Sequence, residues 1–298
     1  MAAQENGHPN VALLQFPGSN CELETKRAAE AGGLHVDIFR WNRHAESLRA
    51  YDGYLIGGGF SYQDRVRAGA IATKEPIVRT LAEEVEKGKP CLGICNGAQV
   101  LVEAGLIPGI HPRQVEMALA YNRPDPATRI SYYCCKWVHL KLAAPARRCR
   151  LTACLPDGLV WPVPLSHGEG RYTTSDPALL DVLIENDQVV FQYCSADGEV
   201  DDRPEINPNG STYNIAALCN PRGNVLAIMP HPERASWLRQ IPLEIGGPWA
   251  QRKLQARGDP SQMTAPGPGR LIFDSLRQAC AEARGAREAD APSRDPLG

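Results

Sequence analysis

The first third of the chain alternates short apolar runs with helical stretches, and this alternation restricts the folds that such a chain can adopt. Strands are predicted at residues 11–16, 34–39, 54–56 and 91–94, and helices at residues 21–31, 74–87 and 96–104. Buried strands that alternate with helices are typical of a parallel sheet whose two faces are both covered by helices. We therefore expect an α/β fold.

The second half of the chain contains more predicted strands and fewer predicted helices. Its strands are predicted at residues 132–142, 160–164, 189–194, 215–218 and 225–229. A turn at residues 221–224 joins the last two strands into a hairpin. The sequence shows no internal repeat and no linker. It therefore favours one domain over residues 11–285, with a long loop at 246–269, a final helix at 271–284 and a disordered tail at 286–298.

The composition excludes several classes of protein. The chain has 298 residues, of which 43% are hydrophobic, and a formal net charge of −2. These are ordinary globular values, and a charge near zero gives no sign of the basic surface that nucleic acid or an anionic membrane requires. The sequence contains neither a secretory signal nor an apolar run long enough to span a membrane. We expect a cytoplasmic protein with no nucleic-acid or membrane partner.

The ten cysteines are spread along the chain rather than grouped. None of them forms a C-x-x-C pair, so the spacing excludes a zinc ribbon and a thioredoxin-like redox motif. In a reducing compartment most of these cysteines should be free thiols that pack as small apolar side chains. The sequence therefore predicts no metal site among them.

Cys95 is the cysteine whose surroundings point to chemistry. It stands in a Gly-x-Cys-x-Gly motif where the predicted strand at 91–94 meets the next helix. Hydrolases of the α/β type carry a nucleophilic serine in such a turn, where a strained backbone pushes the side chain out of the sheet. Glycines are expected on both sides because neighbouring backbone leaves no room for a Cβ, and the helix N-terminus favours the thiolate. The alternative is a buried structural cysteine.

His231 and Glu233 follow directly after the apolar run at 225–229. In an extended backbone, residues two apart point to the same side, and Pro232 between them opposes early helix formation. Glu233 can then orient the imidazole of His231 while His231 reaches a thiol, as in a Cys-His-Glu triad. The alternative is a histidine in a surface turn, with Glu233 as a charge in the first turn of a helix.

Two glycine-rich segments offer backbone or polar groups to such a site. Gly58 and Gly59 end a predicted strand, and with the N–H of Asn96 they can form an oxyanion hole. Residues 166–172 predict a polar loop that could bind substrate or metal, although a His and a Glu two apart cannot complete a metal site alone. The alternatives are a flexible turn and a solvated loop.

Six segments of the sequence, taken in order, carry a resemblance to a known family. Two of them, PGSNC at residues 17–21 and RAGAIA at 67–72, join four described above: GGFSY at 58–62, LGICNG at 92–97, HGEG at 167–170 and MPHPER at 229–234. The ordered set resembles the class I, triad-type glutamine amidotransferases, and among them the glutaminase subunits of phosphoribosylformylglycinamidine synthase. The resemblance runs from about residue 11 to residue 276.

This resemblance implies a flavodoxin-like, three-layer sandwich around a mostly parallel sheet. It implies that Cys95 is the nucleophile, that His231 is the general base and acid, and that Glu233 orients His231. In the same way it implies a substrate contact for Gln99 and an oxyanion hole formed by Gly58 or Gly59 with Asn96. The segment at 166–172 then becomes a candidate active-site or partner loop, with the polar side chains of His167, Glu169 and Arg171.

The resemblance also implies an activity and partners. The family hydrolyses glutamine and passes ammonia to a synthetase subunit, which converts formylglycinamide ribonucleotide to formylglycinamidine ribonucleotide in purine biosynthesis, often with a small third subunit. No phosphate-binding P-loop motif occurs in this chain, so ATP and Mg²⁺ are expected on the synthetase and no cofactor is expected here. Two other functions stay open: a stand-alone cysteine hydrolase or amidase, and a redox-sensing module with an oxidisable Cys95.

Overall fold

The computed structural model describes residues 7–125 and 127–289, and its strands follow the predicted alternation in the first half of the chain. The strands are β1 (Asn10–Gln15), β2 (His35–Arg40), β3 (Gly53–Ile56), β4 (Cys91–Ile94), β5 (Ala118–Tyr121), β6 (Cys134–Leu142), β7 (Val160–His167), β8 (Glu169–Thr173), β9 (Val189–Cys194), β10 (Ile215–Cys219) and β11 (Val225–Ile228). Nine of them form one sheet, and β5 pairs with β8 in a separate two-stranded sheet.

The central sheet has the strand order β2-β1-β3-β4-β11-β10-β9-β6-β7. The strands from β2 to β11 run parallel to one another, and each later neighbour pairs antiparallel. Because two successive antiparallel pairings restore the direction, β9 and β7 run the same way as the parallel strands. The expected α/β fold with a mostly parallel sheet is therefore confirmed.

Seven helices accompany these strands in the described part of the chain. They are α1 (Glu22–Ala31), α2 (Pro76–Glu86), α3 (Asn96–Glu103), α4 (Pro177–Glu185), α5 (Gly247–Gln255), α6 (Pro260–Met263) and α7 (Arg270–Ala289). Helix α2 begins at Pro76, which suits the first turn, and buries Ile77, Leu81 and Val85 at four-residue spacing. Within residues 7–125 and 127–289, no helix is both long enough and apolar enough to cross a membrane.

The core lies along the middle of the central sheet. Every residue of β3, β4, β9, β10 and β11 is buried. Helix α3 packs on β3, β4 and β11, and helix α1 packs on β1, β2 and α7. Strands buried on both faces form continuous apolar runs, which is why the sequence reveals them.

The structure corrects the prediction of a long loop at residues 246–269. This segment contains α5 and α6. The side chain of Asp259 caps α6 by accepting the N–H groups of Ser261 and Gln262, and a proline stands in the first turn of each helix. The glycine and proline content that suggests a loop therefore marks helix starts.

The final helix is also longer than predicted. Helix α7 extends to Ala289, so residues 286–289 of the predicted tail are helical. Residues 290–298 lie outside the described residues. The single-domain boundary at residues 11–285 stays a prediction.

The predicted polar loop at residues 166–172 is instead the end of one strand and most of another. β7 continues through His167, and β8 begins at Glu169. β8 pairs antiparallel with β5, a strand some fifty residues earlier in the chain, which supplies the hydrogen bonds that local sequence does not reveal. A helix at Pro177–Glu185 is likewise present where none is predicted.

Candidate active site

Cys95 lies in the tight turn between β4 and α3. Its backbone has φ 53° and ψ −107°, a conformation that residues with a Cβ rarely adopt. A Cβ on Gly97 would lie 2.0 Å from the backbone oxygen of Ile56, and a Cβ on Gly93 would lie 2.6 Å from the oxygen of Gly97. The strained turn with obligatory glycines, predicted from the motif, is confirmed.

The sheet brings His231 to this turn. β11 pairs directly with β4, with Ile228 opposite Ile94, and the N–H of Cys95 donates to the oxygen of Ile228. His231 stands three residues beyond the end of β11, where its own N–H donates to the oxygen of Pro164. The carboxyl ends of two adjacent parallel strands thus place the thiol and the imidazole side by side.

Glu233 holds the imidazole of His231. Its Oε1 lies 2.5 Å from Nδ1 of His231, and both side chains are almost completely buried. Nε2 of His231 has no hydrogen-bond partner among the described residues and remains free for the thiol or a substrate. A thiol, an imidazole and a carboxylate thus follow one another in the order that a catalytic triad requires.

Charge stabilises the protonated form of His231. Burial alone lowers the pKa of its imidazolium, but the carboxylate of Glu233 and the sulfur of Cys95 outweigh burial and raise that pKa above its ordinary value. A cationic imidazole beside a sulfur nucleophile is the pairing found in activated cysteine enzymes. It places a proton where a leaving group needs one.

The glycine turn after β3 packs directly on the triad. A Cβ on Gly58 would lie 2.9 Å from Cε1 of His231, and Gly59 has φ 145°, a conformation open to glycine. Within the described chain, the N–H groups of Gly58 and Gly59 donate to no other residue. These free donors lie next to the site, and their role as an oxyanion hole stays a prediction.

A cavity of about 320 Å³ opens beside Cys95. Its lining includes Cys95, His231, Gly59 and Gln99 from the predicted site. A volume of this order accommodates a small molecule such as an amino acid. The structure therefore gathers most of the predicted residues around one space.

Gln99 projects from the first turn of α3 into this cavity, and its side-chain amide has a fixed orientation. Its Oε1 accepts a hydrogen bond from Nδ2 of Asn96 at 2.8 Å, and its Nε2 donates to the oxygen of Glu169 at 2.5 Å. An amide held at both ends is suited to positioning a ligand. The substrate contact itself stays a prediction.

The three residues of the polar segment separate in the structure. His167 and Glu169 line the cavity, and Arg171 does not. Burial and the nearby His231 lower the pKa of His167 to about 3, so its imidazole is neutral. Arg171 lies on β8 and donates from Nε to the oxygen of Tyr121. Their roles at an active site or a partner surface stay predictions.

The structure adds lining residues that the sequence does not predict. Asp64, Tyr133 and Arg234 all line the cavity. Burial and the charge of Glu169 raise the pKa of Asp64 to about 6. Arg234 could have been predicted from the sequence because it directly follows Glu233. Asp64 could not, because no motif in its segment marks it. Across residues 7–125 and 127–289, no group of three or more His, Cys, Asp or Glu is placed to hold a metal ion.

Comparisons with known proteins identify the family of this chain. Residues 8–259 match the family of CobB/CobQ-like glutamine amidotransferase domains. The chain is 46% identical over 277 residues to the phosphoribosylformylglycinamidine synthase subunit PurQ of Methanothrix thermoacetophila, covering 92% of this chain and 99% of the relative. It is 42% identical to PurQ of Pyrococcus furiosus, over 76% of this chain and 88% of the relative.

Solved structures include two chains whose fold is similar to that of this chain. The structure of PurLQS from Thermotoga maritima matches with a TM-score of 0.63 and 29% identity, covering 90% of this chain and 97% of that chain. The glutaminase domain of CTPS from Trypanosoma brucei, solved with bound acivicin, matches with a TM-score of 0.52 and 12% identity, over 92% and 94% of the two chains. This second likeness concerns the fold alone.

Proposed function

The chain belongs to the family of phosphoribosylformylglycinamidine synthase subunits PurQ and is a glutamine amidotransferase subunit, and we propose that Cys95, His231 and Glu233 carry out its hydrolysis of glutamine. The observation that supports this proposal most directly is the pairing of β4 with β11. It sets the strained thiol against a buried histidine–carboxylate pair, and the thiol and the histidine line one cavity.

Each group has a defined task in this mechanism. Cys95 attacks the carboxamide carbon of glutamine, and the N–H groups of Asn96 and of Gly58 or Gly59 hold the oxyanion. His231 donates its proton to the departing nitrogen, so that ammonia leaves and a γ-glutamyl thioester remains. His231 then takes a proton from the water that hydrolyses this thioester, which releases glutamate and restores Cys95.

Ammonia formed in this way serves a second enzyme in our proposal. A synthetase subunit with bound ATP and Mg²⁺ uses it to convert formylglycinamide ribonucleotide to formylglycinamidine ribonucleotide, with a small third subunit in some complexes. The likeness of this chain to the PurLQS structure of Thermotoga maritima supports such an assembly. We place this reaction in the cytoplasm, since all ten cysteines are free thiols, as a reducing compartment maintains them.

The test compares glutamine and ammonia as nitrogen donors. The kcat/KM for glutamine is measured on the isolated chain and on the complex with the synthetase, its nucleotide and formylglycinamide ribonucleotide. Cys95→Ala should abolish glutamine-dependent product and leave product formation from added ammonium salts unchanged. Cys91→Ala, a fully buried thiol in the preceding strand, is the matched control and should retain both activities.

The same experiment decides between the proposed subunit and a stand-alone hydrolase. We expect a low basal rate that rises in the complex, because the free donors of the glycine turn can adopt their working geometry when a partner docks. Equal kcat/KM values with and without the synthetase would favour the stand-alone hydrolase. Glutaminase activity retained by Cys95→Ala would overturn the nucleophile assignment.

A further inference from the structure

The side chain of Asn96, the residue after the nucleophile, forms an unusual set of contacts. It is almost completely buried, at 2% exposure. Its Oδ1 accepts the N–H of Ser61 at 3.1 Å, and its Nδ2 donates to Oε1 of Gln99 at 2.8 Å and to Oδ1 of Asp64 at 3.4 Å. Both polar atoms of this carboxamide therefore form hydrogen bonds with other residues of the site.

These contacts join the two halves of the proposed oxyanion hole. One half is the backbone N–H of Asn96 itself. The other half is the turn at Gly58 and Gly59, which leads into Ser61 two residues later. A hydrogen bond from the Ser61 N–H to the Asn96 side chain thus links the glycine turn to the residue that supplies the second donor.

The segment beyond the glycine turn needs such an anchor. Tyr62, Gln63 and Asp64 all have φ between 53° and 60°. Positive φ is strained for residues with a Cβ, and it persists only where surrounding contacts enforce it. The N–H groups of Phe60 and Tyr62 are held by the turn at residues 17–18. On the side that faces Cys95, the side chain of Asn96 holds the segment through the N–H of Ser61.

We propose that the Asn96 side chain is a positioning residue that anchors the Ser61 end of the glycine turn next to the backbone N–H of Asn96 and orients Gln99 at the same time. The proposal rests on the proposed glutaminase function for its kinetic consequence and on the contacts of Asn96 for its structural one. Through Gln99 the same network reaches the oxygen of Glu169 on β8. One carboxamide thereby connects three separate segments around the cavity.

The substitution Asn96→Asp makes the hydrogen bonds of this side chain depend on pH. A protonated Asp side chain has the shape of Asn, accepting from Ser61 through one oxygen and donating to Gln99 through the other. An ionised Asp side chain has no proton to donate, so it faces Oε1 of Gln99 and the carboxylate of Asp64 without a hydrogen bond to either. The other ionisable side chains around this cavity are present in the wild type as well: Cys21, Cys95, Tyr121, Tyr133, His167, Glu169, His231 and Arg234.

The decisive quantity is the ratio of variant to wild-type kcat at each pH. Dividing by the wild type removes the pH dependence that the two enzymes share, and what remains belongs to the carboxyl at residue 96 together with Asp64, which it contacts. For Asn96→Asp this ratio should be low at neutral pH, by about 10²–10³-fold as for a lost oxyanion donor, and should rise at least tenfold as the pH falls. For Asn96→Ala it should be equally low and independent of pH. A purely structural role predicts flat ratios for both variants and would overturn the proposal.

A second measurement does not depend on activity. Hydrogen exchange of the Ser61 amide should accelerate in Asn96→Ala, because its acceptor is removed. Asn224→Asp is the matched control: this equally buried asparagine donates to the oxygens of Val85 and Lys89, and its substitution should leave the kcat ratio independent of pH. Unchanged exchange at Ser61 would overturn the proposal even if the wild type proved to hydrolyse no glutamine.

Folding is checked through Tm for each variant. If Asn96→Asp does not fold, Asn96→Ala and Asn96→Ser decide the question. A kcat lowered at least tenfold with KM changed less, together with faster exchange at Ser61, supports the positioning role. A kcat within twofold of the wild type in either variant overturns it.

Discussion

Nδ1 of His231 lies 2.5 Å from Oε1 of Glu233, two residues further along the chain, and neither side chain has appreciable contact with solvent. The pair is formed where the chain leaves β11, because Pro232 stands between its members and a single short turn follows. Their geometry separates two roles that kinetic measurements can distinguish.

His231→Ala should lower kcat for glutamine by at least about 10²–10⁴-fold, because both proton transfers of the mechanism are lost. Glu233→Gln should lower it less, since the Gln carbonyl still accepts the Nδ1–H bond that orients the imidazole. Steady-state kinetics on folded variants checks the order of the two effects. Equal losses would show that Glu233 does more than orient, and the double variant is needed because members of a triad do not contribute additively.

The same pair predicts a pH dependence of stability. The folded protein binds the His231 proton more tightly than the unfolded chain does, since Glu233 and Cys95 raise that pKa. This contribution to stability is complete below the ordinary histidine pKa and disappears as the pH rises through the raised value. The Tm difference between wild type and Glu233→Gln should therefore be largest near about pH 6 and shrink at alkaline pH. A difference that grows with pH would contradict the assignment.

Asp64 predicts a loss of stability in a more acidic range. Its folded-state pKa of about 6 lies above the ordinary value, because of burial and the charge of Glu169. Between these values the folded protein keeps a proton that the unfolded chain has released, so stability falls as the pH rises through this window. Asp64→Asn removes the effect, and its Tm should exceed that of the wild type above about pH 6 and match it below about pH 4. A Tm difference that is the same at every pH would argue against a buried, repelled carboxylate.

Gly97 and Gly285 form a matched pair for the effect of one added methyl group. At Gly97 a Cβ would meet the backbone oxygen of Ile56 at 2.0 Å, so Gly97→Ala should lower the free energy of unfolding by about 1–3 kcal/mol and displace α3 from the sheet. At Gly285, inside α7, nothing lies within 4 Å, and Gly285→Ala should raise it by up to about 1 kcal/mol. Chemical denaturation measures both, and equal signs would refute the steric argument.

The sequence predicts the strained turn at Cys95 well because its determinants are local. The apolar strand before Cys95, the two glycines and the helix after it all lie within one short stretch, and the structure reproduces each of them. The proximity of His231 to Cys95 is different. It depends on β11 being inserted beside β4, which local patterns do not encode and which only the family resemblance implies.

Two wrong predictions of local structure share a physical cause, because glycine and proline occur in strands and at helix starts as well as in loops. Gly168 and Gly170 flank Glu169 and so suggest a loop, yet pairing with β5 makes residues 169–173 a strand. In the segment at 246–269, Pro248 and Pro260 suggest irregular structure, although proline is favoured in the first turn of a helix. Asp64 has no signal in the sequence, since its place in the cavity is set by a strained backbone and by Asn96.

The position of β11 also has a consequence for how the chain is made. Until Val225–Ile228 leaves the ribosome, one edge of the wholly buried strand β4 has no hydrogen-bonding partner. At ordinary rates of synthesis this exposure lasts on the order of ten seconds. An unpaired apolar edge is a template for association with other chains, so nascent or truncated products that stop before Val225 should require chaperones and should precipitate when expressed alone.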